Sequence, residues 1–150
     1  MPKPLLCCVD DSDTAHAAAR YARDLSSRLS LELVLVHVAG TAAAPGTSAA
    51  PGGHARLVEA QREEGEEVLA HAAQDAGVVD ARRRLEFGSV VDRLLAVAAE
   101  EEAEMIVLGS RGRGRMRAAA LGSVAAETAT KAHCPVVVVS PAAAERVGVD

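Results

Sequence analysis

Aromatic side chains are almost missing from this 150-residue chain, which has no tryptophan, one tyrosine and one phenylalanine. Ring stacking cannot build its core, so the 49% of residues that are hydrophobic, many of them alanine, must close it by tight packing of small side chains. Long apolar runs are missing as well. The first, Leu5 to Val9, stops at Asp10, leaving neither a signal-peptide core nor a membrane span, and the cytoplasm is the expected location. Basic residues are in deficit: 16 lysines and arginines face 21 aspartates and glutamates, a formal charge of -5. That balance argues against general nucleic-acid binding, whose affinity comes from neutralising many phosphates. Three cysteines, two of them adjacent at Cys7 and Cys8, make no disulfide framework or metal spacing and read as buried, reduced thiols. His16, His54, His71 and His133 are scattered, so no metal site is expected, and His37 in an apolar strand reads as a hydrogen-bonded core residue.

The length fits a single domain, residues 1–150. Leu5 to Val9 reads as a buried strand, and Ser12 or Asp13 then caps a helix with Ala15, Ala18, Ala19, Ala22, Leu25 and Leu29 at helical spacing. Leu31 to Val38 is a second strand. Thr41 to Gly53, uncharged and rich in alanine, glycine and proline, offers no periodic face and reads as a flexible loop. His54 to Ala76 is helical, with Glu63, Glu64, Glu66 and Glu67 on a solvated face. Arg83 to Phe87 is a weaker strand ended by Gly88, and Ser89 caps the next helix, which Glu100 to Glu102 finish. Met105 to Leu108, a helix from Val124 to His133, and a fifth strand from Pro135 to Ser140 complete the pattern, with a frayed tail from Ala142. The order βαβαβαβαβ with helical crossovers implies a Rossmann-like α/β fold: an open, parallel, five-stranded sheet with helices on both faces.

In doubly wound sheets ligands bind beyond the carboxyl ends of strands, where the strand order reverses. In a 3-2-1-4-5 order the first and fourth strands flank that reversal, which brings Asp10 and Gly109 together. Gly109 begins a glycine-spaced segment: two residues, Gly112, nine residues, then Gly122 and Ser123. Glycines let a phosphate approach the backbone with no Cβ in the way, and a helix opening at Ser123 offers free N–H groups and a favourable dipole. Other phosphate motifs fail: there is no G-x-x-x-x-G-K-[ST], and after Gly112 and Gly114 a dinucleotide fingerprint needs glycine where Arg117 stands.

The run Ile106 to Gly114, with Leu121 to Val124 and Cys134 to Val139, resembles the C-terminal half of universal stress proteins, including their G-x2-G-x9-G-[ST] motif. Cys8 to Ser12 is similar to the family's V-D-G-S at the first strand, and Val36 to Val38 to its second-strand ending. The resemblance covers nearly the whole chain apart from the Thr41 to Gly53 loop and the tail. It implies a cytoplasmic, ATP-binding stress-response or regulatory protein on a 3-2-1-4-5 sheet. Asp10 would lie at the ribose or adenine, the Val38 backbone at adenine, and Gly109, Gly112, Gly122, Ser123 and Val124 around the phosphates, with Mg²⁺ or Mn²⁺ accompanying the ATP. The apolar, uncharged run Val136 to Val139 would be an edge strand, and both this edge and the resemblance imply a homodimer. Two residues depart from the family pattern: Asp11 puts a carboxylate near the mouth in place of glycine, and Arg115 a cation in place of another.

Some residues have two readings. Asp10 is a ligand contact or a helix-capping residue, although Ser12 or Asp13 suits capping better. Arg111, Arg113, Arg115 and Arg117 are a solvated loop, or one or two of them touch phosphate. Ser123 has no triad partner at a diagnostic spacing and reads as helix cap and phosphate donor; Cys134 reads as a buried structural thiol. No catalytic residue is assigned. The rival functions are a slow ATP hydrolase, opposed by the lack of an evident general base, and a nucleotide-free dimerisation module, opposed by the retained glycines and Ser123.

Overall fold

A computed structural model describes residues 2–40, 52–110 and 121–147. The apolar runs form five strands: β1 (Pro4–Cys8), β2 (Glu32–Ala39), β3 (Arg82–Phe87), β4 (Met105–Gly109) and β5 (Val136–Val139). Between and after them lie α1 (Asp13–Leu29), α2 (Gly53–Ala76), α3 (Val90–Glu100), α4 (Ser123–Lys131) and α5 (Pro141–Val147). Every strand pair is parallel and the order is β3-β2-β1-β4-β5, as the sequence implied. Register sets Cys7 between Leu35 and Val107, so the carboxyl ends of β1, β2 and β4 finish side by side.

Because side chains alternate along a strand, each strand feeds two cores. Leu5, Cys7, Leu35 and Val107 meet the alanine face of α1 and Val68, Leu69 and Ala72 of α2. Leu6, Val34, Val36, Ile106 and Leu108 meet Leu94 and Val97 of α3 and Ala125 of α4. Leu5, Leu6, Leu35, Leu94 and Ile106 are fully buried, each contributing about 1.5–3 kcal/mol of burial free energy. Small residues make the α1 contact close: Ala15, Ala17, Ala18, Ala19 and Ala22 are all buried, while Leu29, expected on this face, is 49% exposed at the helix end.

The helix ends refine the sequence reading. Ser12 caps α1, its Oγ accepting from the Ala15 amide at 3.2 Å. Ser89 sits at the N-cap of α3 but its side chain makes no capping bond. Gly122, and not Ser123, is the N-cap of α4; Ser123 is its first helical residue. Gly88 ends β3 at φ +128°, a backbone conformation that favours glycine, and its amide bonds the Ala39 carbonyl at 3.1 Å. The tail expected to fray from Ala142 is instead α5: Ser140 Oγ accepts from the Ala143 amide, and Ala143 and Ala144 pack on the α1 side of the core. Of the thiols, Cys7 is buried whereas Cys8 and Cys134 are half-buried. Most of the loop expected between Thr41 and Gly53 lies outside the described residues.

Candidate functional site

A cavity of about 500 Å³ opens beyond the carboxyl ends of β1, β2 and β4. Sheet order β2-β1-β4 gives it a direction. Leu108, Gly109 and Ser110 with the start of α4 form one end; Cys8, Val9 and Asp10 lie in the middle; His37 to Gly40 and part of α2 form the other end.

At the β4 end the chain is pinned. The Ser110 amide bonds the Val139 carbonyl at 2.9 Å, and the Gly122 amide bonds the Ser110 carbonyl at 2.7 Å, fixing the start of α4 against the end of β4. The first intrahelical bond of α4 runs from the Ala126 amide to the Gly122 carbonyl at 2.9 Å. The amides of Ser123, Val124 and Ala125 therefore have no acceptor within the helix, and all three residues line the cavity. Beside them Ser110 is 5% exposed, with its Oγ buried and lacking a hydrogen-bond partner. A buried hydroxyl left unpaired costs roughly 1–3 kcal/mol, so this atom is an expense unless something enters the cavity to bond it. Ser110 is absent from the residues expected from sequence, where it is one of the two unspecified positions after Gly109. Strand alternation from Ile106 and Leu108 places it on their face of the sheet.

The glycines have different reasons. A Cβ on Gly109 would lie 2.7 Å from Thr14 Oγ1 and 2.9 Å from the Thr14 backbone carbon. Glycine here lets the first turn of α1 press on the end of β4, a packing reason for its bareness that the sequence did not reveal. Gly122 has φ -63°, available to any residue, and is buried at the cavity wall, so its backbone conformation does not require glycine.

In the middle, Asp10 Oδ1 accepts from the Ser12 amide at 2.8 Å and from Ser12 Oγ at 2.5 Å. Ser12, not Asp10, caps α1; Asp10 holds that serine from behind and lines the cavity. Burial first, then the Asp10 carboxylate, push the Cys8 thiol up to about 12, which keeps it protonated and un-nucleophilic near neutral pH. At the β2 end, His37 Nδ1 lies 2.8 Å from the Val9 carbonyl. A carbonyl only accepts, so Nδ1 carries the proton and Nε2 is the acceptor in the neutral ring. This is the bonded histidine the sequence predicts. From α2, Gln61 and Glu64 line the cavity, and Gln61 Oε1 is buried with no hydrogen-bond partner.

Asp10, Val38, Gly109, Gly122, Ser123 and Val124 all line this one cavity. Gly112 and the four arginines from 111 to 117 lie outside the described residues. Among the described lining residues the charges are the carboxylates of Asp10 and Glu64, with no lysine or arginine. What is electropositive there is backbone: three amides and the positive end of the α4 dipole.

Known proteins share this frame. A universal stress protein of Methanocaldococcus jannaschii is 30% identical over 140 residues, covering 91% of this chain and 81% of that protein. One from Thermus aquaticus is 31% identical over 139 residues, covering 93% and 99%. A longer Mycobacterium bovis relative is 37% identical over 86 residues, which span 53% of this chain but 28% of that protein. Among solved structures, a universal stress protein from Lactobacillus plantarum superposes with TM-score 0.76 at 24% identity, covering 91% of this chain and 96% of that one. A universal stress protein in complex with cAMP (TM-score 0.69, 21% identity, 91% and 96% covered) and one from Archaeoglobus fulgidus in complex with dAMP (0.63, 22%, 92% and 97%) share the fold. The family pattern described as the universal stress protein family matches residues 1–140, and on that match the chain belongs to the universal stress protein family.

Proposed function

We propose that the cavity binds ATP and that occupancy, not turnover, is the protein's output in a cytoplasmic stress response. The observation that carries this reading is the unpaired Ser110 hydroxyl beside the three α4 amides that have no acceptor within their helix, an anion-binding constellation at one end of a cavity large enough for a nucleotide. The cAMP and dAMP held by neighbours on the same fold support a nucleotide as the occupant. Phosphates would lie against Gly109, Ser110, Gly122, Ser123 and Val124, with Gly112 completing the motif; the sugar would lie by Asp10, and the base by the Val38 backbone. A triphosphate in place of a monophosphate is favoured by the arginines that the sequence sets between Gly109 and Gly122.

Among the described residues no group of three or more histidines, cysteines, aspartates or glutamates is placed to hold a metal. Mg²⁺ or Mn²⁺ would therefore arrive with the triphosphate, bound mainly by phosphate oxygens and water. Catalysis is not proposed: Asp10 already accepts two bonds from Ser12, and the other carboxylate near β1, Asp11, is exposed. Mass spectrometry of ligand released from fresh protein, followed by calorimetry with ATP, tests the reading. Recovery of an adenine nucleotide and binding below about 100 μM are expected; no heat from any nucleotide overturns it.

The homodimer is proposed on the sheet's edges. β3 is guarded by paired charges on Arg82, Arg84 and Glu86, whereas β5 presents only valines, three of them half-buried, with one side unpaired in the described chain. Val138→Lys is expected to shift sedimentation from dimer to monomer; a wild-type monomer at tens of micromolar refutes it. No helix among the described residues is long and apolar enough to cross a membrane.

A further inference from the structure

The far end of the cavity holds a second buried polar atom with nothing to bond. Gln61 Oε1 is unpaired, although Gln61 sits on a helix whose outer face offers water freely. Its placement follows from the crossover. α2 returns antiparallel to β2, and Gly65 lies over His37 and Leu85, where a Cβ would stand 3.4 Å from His37 Cδ2 and 2.5 Å from Leu85 Cδ1. Gln61 is one turn nearer the helix start, hence nearer the carboxyl end of β2. Its neighbour Arg62 confirms the level, its guanidinium 5.6 Å from the ring centre of Phe87, which pairs in register with Ala39. Gln61 thus stands beside Val38 and Ala39, the end of the cavity opposite the α4 amides.

We infer that Gln61 reads the edge of the ligand's base and selects a 6-aminopurine over a 6-oxopurine. This rests on the nucleotide reading of the cavity: if phosphate lies at α4, the base lies at the β2 end. A glutamine amide matches the adenine edge with two bonds, Oε1 accepting from the N6 amine and the Nε2 amine donating to N7. A 6-oxopurine presents acceptors at both positions and leaves Oε1 facing another oxygen, still unpaired. Glu64, one turn on along the same cavity wall, adds a second acceptor and no donor, which biases the site the same way.

The experiment compares ATP with inosine triphosphate, which carries O6 in place of the N6 amine and a proton on N1, by calorimetry on the wild-type protein, Gln61→Leu and Gln61→Glu, with thermal melts to verify folding. The wild type is expected to prefer ATP by roughly tenfold or more, the discrimination of one bidentate amide contact. Gln61→Leu is expected to cut that ratio at least several-fold, and Gln61→Glu, which still accepts from the amine, to keep most of it. The ratio, not the absolute affinity, carries the test. A wild type that binds both nucleotides equally, or a Gln61→Leu protein that loses both in proportion, overturns the inference while leaving the nucleotide site standing. A wild type that binds neither removes the nucleotide reading and this inference with it.

Discussion

The cavity and the charged flank of β3 are both polar, but their polar groups are in opposite states. On the flank, Arg82 bonds Glu32 and Glu101, Arg84 bonds Glu86, Glu100 and Glu101, and Arg93 bonds Glu86 at 2.6 Å. The network closes on itself. In the cavity, Ser110 Oγ and Gln61 Oε1 are buried with no partner, and the first amides of α4 have no acceptor within their helix. By charge density the flank is the more conspicuous region, yet its charges are largely paired with one another. Unmet buried polarity points to a binding site where it lines a cavity; His16 Nε2, Arg20 Nε and Thr128 Oγ1 are also unpaired but do not line this one.

The contrast can be broken first at Gly122. Gly122→Val is expected to abolish ATP binding, by about a hundredfold or more in Kd, because a branched side chain would stand where phosphate meets the α4 amides; that is roughly 2.7 kcal/mol or more. Its melting temperature should stay near wild type, since φ -63° suits valine. Unchanged affinity in the folded variant removes the phosphate assignment. Gly109→Ala should do the converse, lowering stability by about 1–3 kcal/mol through its clash with Thr14, read by chemical denaturation. A neutral result there means the α1 contact is soft.

Ser110→Ala sharpens the comparison further. It removes an atom with no partner in the free protein, so stability should hold or rise slightly, while ATP affinity falls about tenfold, near 1.4 kcal/mol. Loss of stability without loss of affinity would make Ser110 a structural residue. The smallest effect belongs to the flank. The Arg82 hydrogen bond holds Glu101 below the usual carboxylate range; at Glu86 burial opposes ionisation, but bonds from Arg93 and Arg84 outweigh it and the net direction is also down. Folded values below unfolded ones mean stability that is present above the unfolded value of about 4.3 and lost as pH falls through the folded one. Glu101→Gln should flatten that acid limb in melts across pH 3 to 7 and cost at most about 1 kcal/mol at neutral pH, with ATP affinity unchanged. An affinity change of more than a few-fold would join the flank to the site.

Much of the frame was legible in sequence because buried parallel strands and amphipathic helices leave periodic marks. Leu5 to Val9 anticipated β1 within a residue, and the glycine spacing located the mouth of the cavity. The missed features depend on three-dimensional pairing. Alternation gives the face of Ser110 but not its unmet hydroxyl, and a serine or glutamine looks the same in sequence whether its oxygen is met or unmet. Gly109 was legible as a glycine needing space, but not that Thr14, 95 positions away in the chain, is what fills it. α5 escaped because three alanines after Pro141 give no contrast between faces, and only the α1 surface beneath them supplies one.

The bond from His37 to the Val9 carbonyl turns the ring into a built-in probe. With Nδ1 committed, Nε2 is the free nitrogen of a side chain that lines the cavity, and its tautomer does not need to be assigned afresh in each sample. A nitrogen resonance from that atom can follow occupancy at the β2 end separately from occupancy at α4. In a chain with no tryptophan to serve as a fluorescent reporter, this histidine offers a way to watch filling of the site one half at a time.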